Sequence, residues 1–129
     1  MIDGVGGVIL FTNDTKKLAA WYRDSLGIIA ADQDIAGKSI YTTFESRDAE
    51  NPQTKHTMAW AIMHTDQDIK DKPRTAKINY RVKNMEKVLK HLHGQGVAIE
   101  KTEDYPYGKF TTLKDPDGNL VELWEPSKD

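Results

Sequence analysis

An order of elements that occurs twice constrains this chain more than any single motif. The first half opens on an apolar run, Gly7-Val8-Ile9-Leu10-Phe11. Asp14 then has the chemistry of a helix N-cap. Leu18, Trp21, Tyr22 and Leu26 follow at helical spacing, and Gly27 stands where such a helix stops. Strand character resumes at Ile28 to Ala31, and Ala36-Gly37-Lys38 reads as a hairpin turn into Ser39-Ile40-Tyr41-Thr42-Thr43-Phe44. A polar loop, Glu45 to Lys55, leads to the strand Thr57 to Met63. The second half repeats the order. Lys77-Ile78-Asn79-Tyr80-Arg81-Val82 alternates polar and apolar residues, as a half-buried strand does. Asn84 caps a helix with an apolar stripe of Met85, Val88, Leu89 and Leu92, ended by Gly94 and Gly96. Val97 to Ile99, Phe110 to Leu113 and Leu120 to Trp124 complete the set. The residues repeat weakly and the pattern clearly. This predicts an α+β fold of two βαβββ modules within one domain, residues 1–129, with module one about 1–64 and module two about 76–126.

The last two strands carry the most specific chemistry. Asp115-Pro116-Asp117-Gly118 is turn chemistry, because Pro presets φ and Gly accepts the positive φ that closes the turn. Beyond it Glu122 stands among Leu120, Val121, Leu123 and Trp124. A carboxylate in such a strand costs free energy unless it is paired or solvated. Glu122 therefore lies either on a sheet face open to solvent or in a site.

Composition removes several function classes. No basic face or tail stands out, and the formal charge is −2, which argues against nucleic-acid or membrane-surface binding. The chain has no cysteine, so thiolate nucleophiles, disulfides and Cys-based zinc sites are impossible. No signal pattern or apolar run of membrane-spanning length is visible, and a cytoplasmic protein is expected.

Two stretches, Asn13-Asp14 through Trp21-Tyr22-Arg23-Asp24-Ser25-Leu26-Gly27 and Asp115-Pro116-Asp117-Gly118-Asn119-Leu120-Val121-Glu122-Leu123, resemble the vicinal oxygen chelate superfamily. Its members include glyoxalase I, extradiol dioxygenases and the fosfomycin- and bleomycin-resistance proteins. The resemblance covers essentially the whole chain. It implies paired βαβββ modules forming a cupped mixed sheet around a ligand cavity, commonly in a homodimer, with exchange of modules between chains left open. The family's metal enzymes hold a divalent ion with His, Glu or Gln on the first and last strand of each module. Carried onto this sequence, the last-strand position is Glu122. The other positions fall on Gly7, on Lys77 and, in loose register, between Ala59 and Met63. Glycine has no side chain and a lysine ammonium has no lone pair. One carboxylate does not hold a hard divalent cation, so no cofactor is expected.

The histidines offer no replacement. His91 and His93 are two apart on a helix and face different ways. His56 and His64 lie roughly 26 Å apart along a strand. All four read as surface or loop residues, with His64, at a strand end, the one left open to reach the pocket.

Strand parity supplies the other candidates. Lys77, Asn79 and Arg81 share one face of their strand, and Ile78, Tyr80 and Val82 share the other. If the polar face lines the cavity, Arg81 or Lys77 neutralises Glu122, or Arg81 holds a ligand's acid group; otherwise this is an ordinary solvated strand surface. The resemblance places Trp60, Phe110 and Trp124 on cavity-lining strands, where they either line the cavity or simply fill the core, with Tyr105-Pro106-Tyr107-Gly108 either over the mouth or simply a turn. Trp21 reads as helix packing. The expected function is metal-independent binding of a small, partly aromatic or anionic molecule, in the manner of the bleomycin-resistance branch. The alternative is a glyoxalase-like lyase or isomerase, or a dioxygenase-type enzyme, with Glu122 as metal ligand or as a base of raised pKa. A module whose sheets merely pack is the third reading.

Overall fold

A computed structural model describes residues 1–30, 32–33 and 39–128, with 32–33 as backbone alone. The chain divides into two units, Met1–Ala20 with Ile28–Asp68, and Trp21–Gly27 with Ile69–Asp129. Together they contain strand, helix and three strands, twice over, as the sequence predicts.

The first unit holds β1 (Gly7–Thr12), β2 (Asp32–Gln33), β3 (Ser39–Arg47) and β4 (Lys55–His64) in the sheet order β1-β4-β3-β2. β1 runs parallel to β4, and the other pairs are antiparallel, so the sheet is mixed. Helix α1 (Thr15–Leu26) starts where Asp14 accepts a hydrogen bond from the Lys17 amide at 3.1 Å. Its residues to Ala20 count with this unit and the remainder with the second. Leu10, Thr12, Trp60 and Ile62 are buried on one side of the sheet, and Leu18 of the helix is buried as well. The opposite side carries Ile9 and Phe11, both about half exposed, beside Ala61 and Met63.

Two expectations need correction here. Residues Ile28 to Ala30 form no strand, whereas Ala31 and the expected turn Ala36-Gly37-Lys38 lie outside the described residues. The loop expected from Glu45 to Lys55 gives up its ends to strand, because β3 and β4 pair as far as Arg47 opposite Lys55. The true turn is shorter. Asp48 closes it by accepting from the amides of Glu50 and Asn51, both at 2.8 Å.

The second unit holds β5 (Lys77–Arg81), α2 (Met85–Gly94), β6 (Ile99–Tyr105), β7 (Gly108–Lys114) and β8 (Leu120–Pro126). The sheet order is β5-β8-β7-β6, with β5 parallel to β8. Asn84 caps α2 through the Lys87 amide at 3.0 Å. Thr111, Leu113, Val121 and Leu123 are buried on one sheet face, as are Met85 and Leu92 of α2, and the Thr111 hydroxyl donates to Met85 Sδ at 3.3 Å. The second strand of this module was expected at Val97 to Ile99, and it lies further on, at Ile99–Tyr105. Its sequence, Glu100-Lys101-Thr102-Glu103-Asp104, is polar because β6 is the sheet edge, where both faces meet water or charge partners.

The Asp115-Pro116-Asp117-Gly118 turn joins β7 to β8 and is fixed from several sides. Asp115, which is buried, accepts from the amides of Asp117 and Asn119 and from the Asn119 side chain. It also accepts the Tyr22 hydroxyl at 2.7 Å. Arg74 donates to Asn119 Oδ1 and to the Asp117 carbonyl. The turn therefore holds the start of β8 in place, and with it the position of Glu122.

Candidate functional site: an open sheet face with a paired glutamate

Register brings the candidate residues into rows across the outer face of the second sheet. One row runs Asn79, Glu122, Thr112, Lys101. The next runs Arg81, Trp124, Phe110, Glu103. Neighbours within a row stand about 4.8 Å apart at the backbone. The opposite face of the same strands carries the buried residues of the core, so the pleat alone separates packing from site.

Glu122 is the centre of the first row. Lys77 donates to its Oε2 at 2.6 Å, and Asn79 donates to its Oε1 at 2.8 Å. The carboxylate side chain is only 14% exposed, and that of Lys77 is 48% exposed. Burial of the carboxyl raises its pKa, but the hydrogen bonds from Lys77 and Asn79, with the lysine charge, outweigh burial, and the net shift is downward. The expected base of raised pKa is thus corrected: Glu122 is held ionised, and the physical cause is the pair of donors around it.

The aromatic residues form the second feature. Phe110 and Trp124 lie near-parallel, 13° apart in plane with ring centroids at 6.1 Å. Tyr105 and Tyr107 stack at 5.3 Å, and both meet Phe110 edge-on, at 5.9 and 5.7 Å. Tyr105-Pro106-Tyr107-Gly108 is a tight hairpin turn between β6 and β7. Gly108 has φ +145°, and a Cβ there would lie 2.5 Å from Trp124 Nε1 and 2.5 Å from the Glu125 carbonyl. The indole rests on the glycine, and no other residue leaves it that room. The Trp124 N–H points to the Tyr107 carbonyl at 3.4 Å, and the Tyr105 hydroxyl donates to Glu103.

The structure brings together Lys77, Asn79, Glu122, Phe110 and Trp124, with Arg81 beside Trp124. It distributes the others differently. Trp60 is 1% exposed, on the buried side of the first sheet with Leu10 and Ile62. Arg81 makes no ion pair with Glu122: Lys77 is the partner, and among the described residues the Arg81 side chain has no hydrogen bond or ion pair. Trp21 meets Tyr22 edge-on at 4.9 Å. His56 and His64 pair with Asp48 and Asp66, and His91 with the Asp24 carbonyl. Lys101, Glu103 and Thr112 were not singled out from the sequence. Their signal is the alternation of Lys101, Glu103 and Tyr105, which becomes legible once the strand is moved past Ile99.

The metal positions that the resemblance implies fall on Gly7, the Ala59–Met63 stretch, Lys77 and Glu122. Gly7 and Ala59 lie side by side in the parallel pair of β1 and β4, and a Cβ on Gly7 would approach the Ala59 carbonyl to 2.9 Å. Neither offers a donor side chain. In the second unit Lys77 puts an ammonium against the one carboxylate. This donor set does not fit a divalent cation. Among the described residues no group of three or more His, Asp or Glu side chains is arranged to hold a metal ion.

Comparison with known proteins agrees with this architecture. A curated relative, YraH of Bacillus subtilis (strain 168), described as an uncharacterized protein, is 24% identical over 124 residues, covering 90% of this chain and 93% of its own. A putative glyoxalase family protein from Bacillus anthracis superposes with a TM-score of 0.73 at 14% identity, over 98% of both chains. An integron cassette protein from the V. cholerae mobile metagenome superposes with a TM-score of 0.67 at 21% identity, also over 98% of both. The family model of the glyoxalase/bleomycin resistance protein/dioxygenase superfamily matches residues 4–123, a span that includes the two motif-bearing segments and nearly all of both modules, and this chain belongs to that superfamily.

Proposed function

We propose that this chain binds a small organic molecule, without a metal ion, on the aromatic and charged face of its second sheet. The observation that carries the reading is the Lys77–Glu122 pair at 2.6 Å. An ammonium fixed to the chain supplies positive charge next to the family's last-strand carboxylate. A metal ion entering there would have to displace it. The aromatic rings beside the pair supply apolar contact area, and small-molecule sites combine such surface with a few placed polar groups. Binding or sequestration is the activity this supports. The low pKa of Glu122 makes it a weak proton acceptor at neutral pH and lends no support to proton transfer.

The proposal extends to assembly and place. Ile9 and Phe11 are 54% and 52% exposed on the first sheet, and apolar surface of this kind supports a homodimer. No helix among the described residues is long and apolar enough to cross a membrane, and a cytoplasmic location is proposed with it.

Chelation tests the central element. Treatment with a strong chelator should leave the melting temperature unchanged, because no metal-binding free energy is linked to folding. A fall of several degrees, restored by one specific divalent ion, would instead favour a metal-dependent lyase, isomerase or dioxygenase.

A further inference from the structure

We infer that the ligand of this face is a flat aromatic molecule carrying an anionic group, with its ring against Trp124 and Phe110 and its carboxylate or phosphate on Arg81. The inference rests on the proposed binding function and narrows it to a ligand class. Its ground is the difference between Arg81 and the other cations of the sheet's outer face. Lys77 has Glu122 at 2.6 Å, Lys101 has Glu103 at 3.3 Å, and Lys114 has Glu100 at 3.4 Å. Arg81 alone has no carboxylate partner among the described residues, and its side is exposed. The uncompensated charge of the face therefore sits at one end of the row that contains Trp124 and Phe110. A guanidinium presents a planar fork of donors, which matches a carboxylate or phosphate and gives strong charge-assisted hydrogen bonds.

The same surroundings exclude a cationic ligand. A cation would seek a carboxylate as well as ring faces. Glu122 already accepts from Lys77 and Asn79, and Glu103 from Tyr105 and Lys101. The polar ends of two rings are also occupied, the Trp124 N–H by the Tyr107 carbonyl and the Tyr105 hydroxyl by Glu103. What these rings offer a ligand is faces and edges, which favours a flat aromatic partner over a hydroxyl-rich one.

Calorimetric titration with 2-naphthoate, 2-naphthyl phosphate, 2-naphthamide and cyclohexanecarboxylate tests this, in the wild-type protein and in Arg81→Met. The naphthoate or the naphthyl phosphate should bind about tenfold or more tightly than either the neutral amide or the non-aromatic acid, as loss of one charge-assisted pair or of the ring contact implies. Whichever of the two anions binds better identifies the acid group. In Arg81→Met the preference for anion over amide should collapse while 2-naphthamide binding and the melting temperature stay as they were. Arg81→Lys, which keeps the charge and loses the fork, should retain part of the preference. Equal binding of acid and amide, or a preference that survives Arg81→Met, overturns the ligand class and leaves small-molecule binding standing. If no probe binds, and the Trp124 indole N–H resonance does not move at millimolar concentration, both readings fall.

Discussion

Glu122 shows how little separates a structural charge from a functional one. Its strand neighbours are apolar, and the carboxylate persists because Lys77 and Asn79 both reach it. Its pKa lies below the ordinary carboxylate value in the folded protein. The unfolded chain therefore takes up the proton first as pH falls. The stabilisation is complete above the unfolded value of about 4.3 and is lost as pH drops through the lower folded value. Glu122→Gln should cost about 1 kcal/mol at neutral pH, because the lysine left behind is half solvated. Urea unfolding of both proteins should show this difference holding constant down to about pH 5 and narrowing below it. A difference as large at pH 3 as at neutrality would contradict the pairing. Parity in the sequence put Lys77, Asn79 and Arg81 on one face and left open which cation meets Glu122. The parallel register sets Asn79 opposite Glu122 with Lys77 and Arg81 two residues to either side, and the side-chain contact at 2.6 Å identifies Lys77 as the partner. No local pattern encodes that register. The side on which Trp60 lies was open for a related reason: on β4 a shift of one residue exchanges the two faces, and the sequence of that strand is apolar on both.

At the scale of elements, two tight contacts hold the site strands. Gly108 lets the Trp124 indole lie against the start of β7, so Gly108→Ala should cost about 2 kcal/mol or more through backbone strain and displacement of the ring. The loss should appear in chemical unfolding together with a moved Trp124 indole resonance, and an unchanged resonance would mean that the ring does not depend on the glycine. Tyr22 reaches the Asp115 carboxylate from α1, and burial followed by the neighbouring charge of Asp115 raises the phenol pKa far above its ordinary value. Tyr22→Phe removes one donor from a buried carboxylate and should cost about 1–3 kcal/mol. Equal stability of the two proteins would show the bond to be incidental. The helices, their caps and the Asp115-Pro116-Asp117-Gly118 turn were legible, because capping and turn chemistry are local. β6 was misplaced, since an edge strand of alternating charges lacks the apolar run by which a strand is recognised. The β3–β4 hairpin came out longer than expected for the same reason, with polar residues extending both strands.

The whole molecule repeats one plan with two chemistries. The outer side of the first sheet is apolar, with Ile9 and Phe11 half exposed, and that of the second is aromatic and charged. The twofold order of elements makes this architecture visible in the sequence, whereas the division of labour between the sheets depends on strand register. Sedimentation at micromolar concentration should return a homodimer, and Phe11→Glu should shift it toward monomer by placing a charge in the apolar surface. A wild-type monomer would contradict that assembly. Metal independence remains the central claim, and native mass spectrometry of protein purified from metal-replete medium tests it most directly. The expected spectrum carries no stoichiometric divalent metal, with any retained mass belonging to an organic molecule. One divalent ion per chain, lost together with ligand binding on chelation, would contradict it.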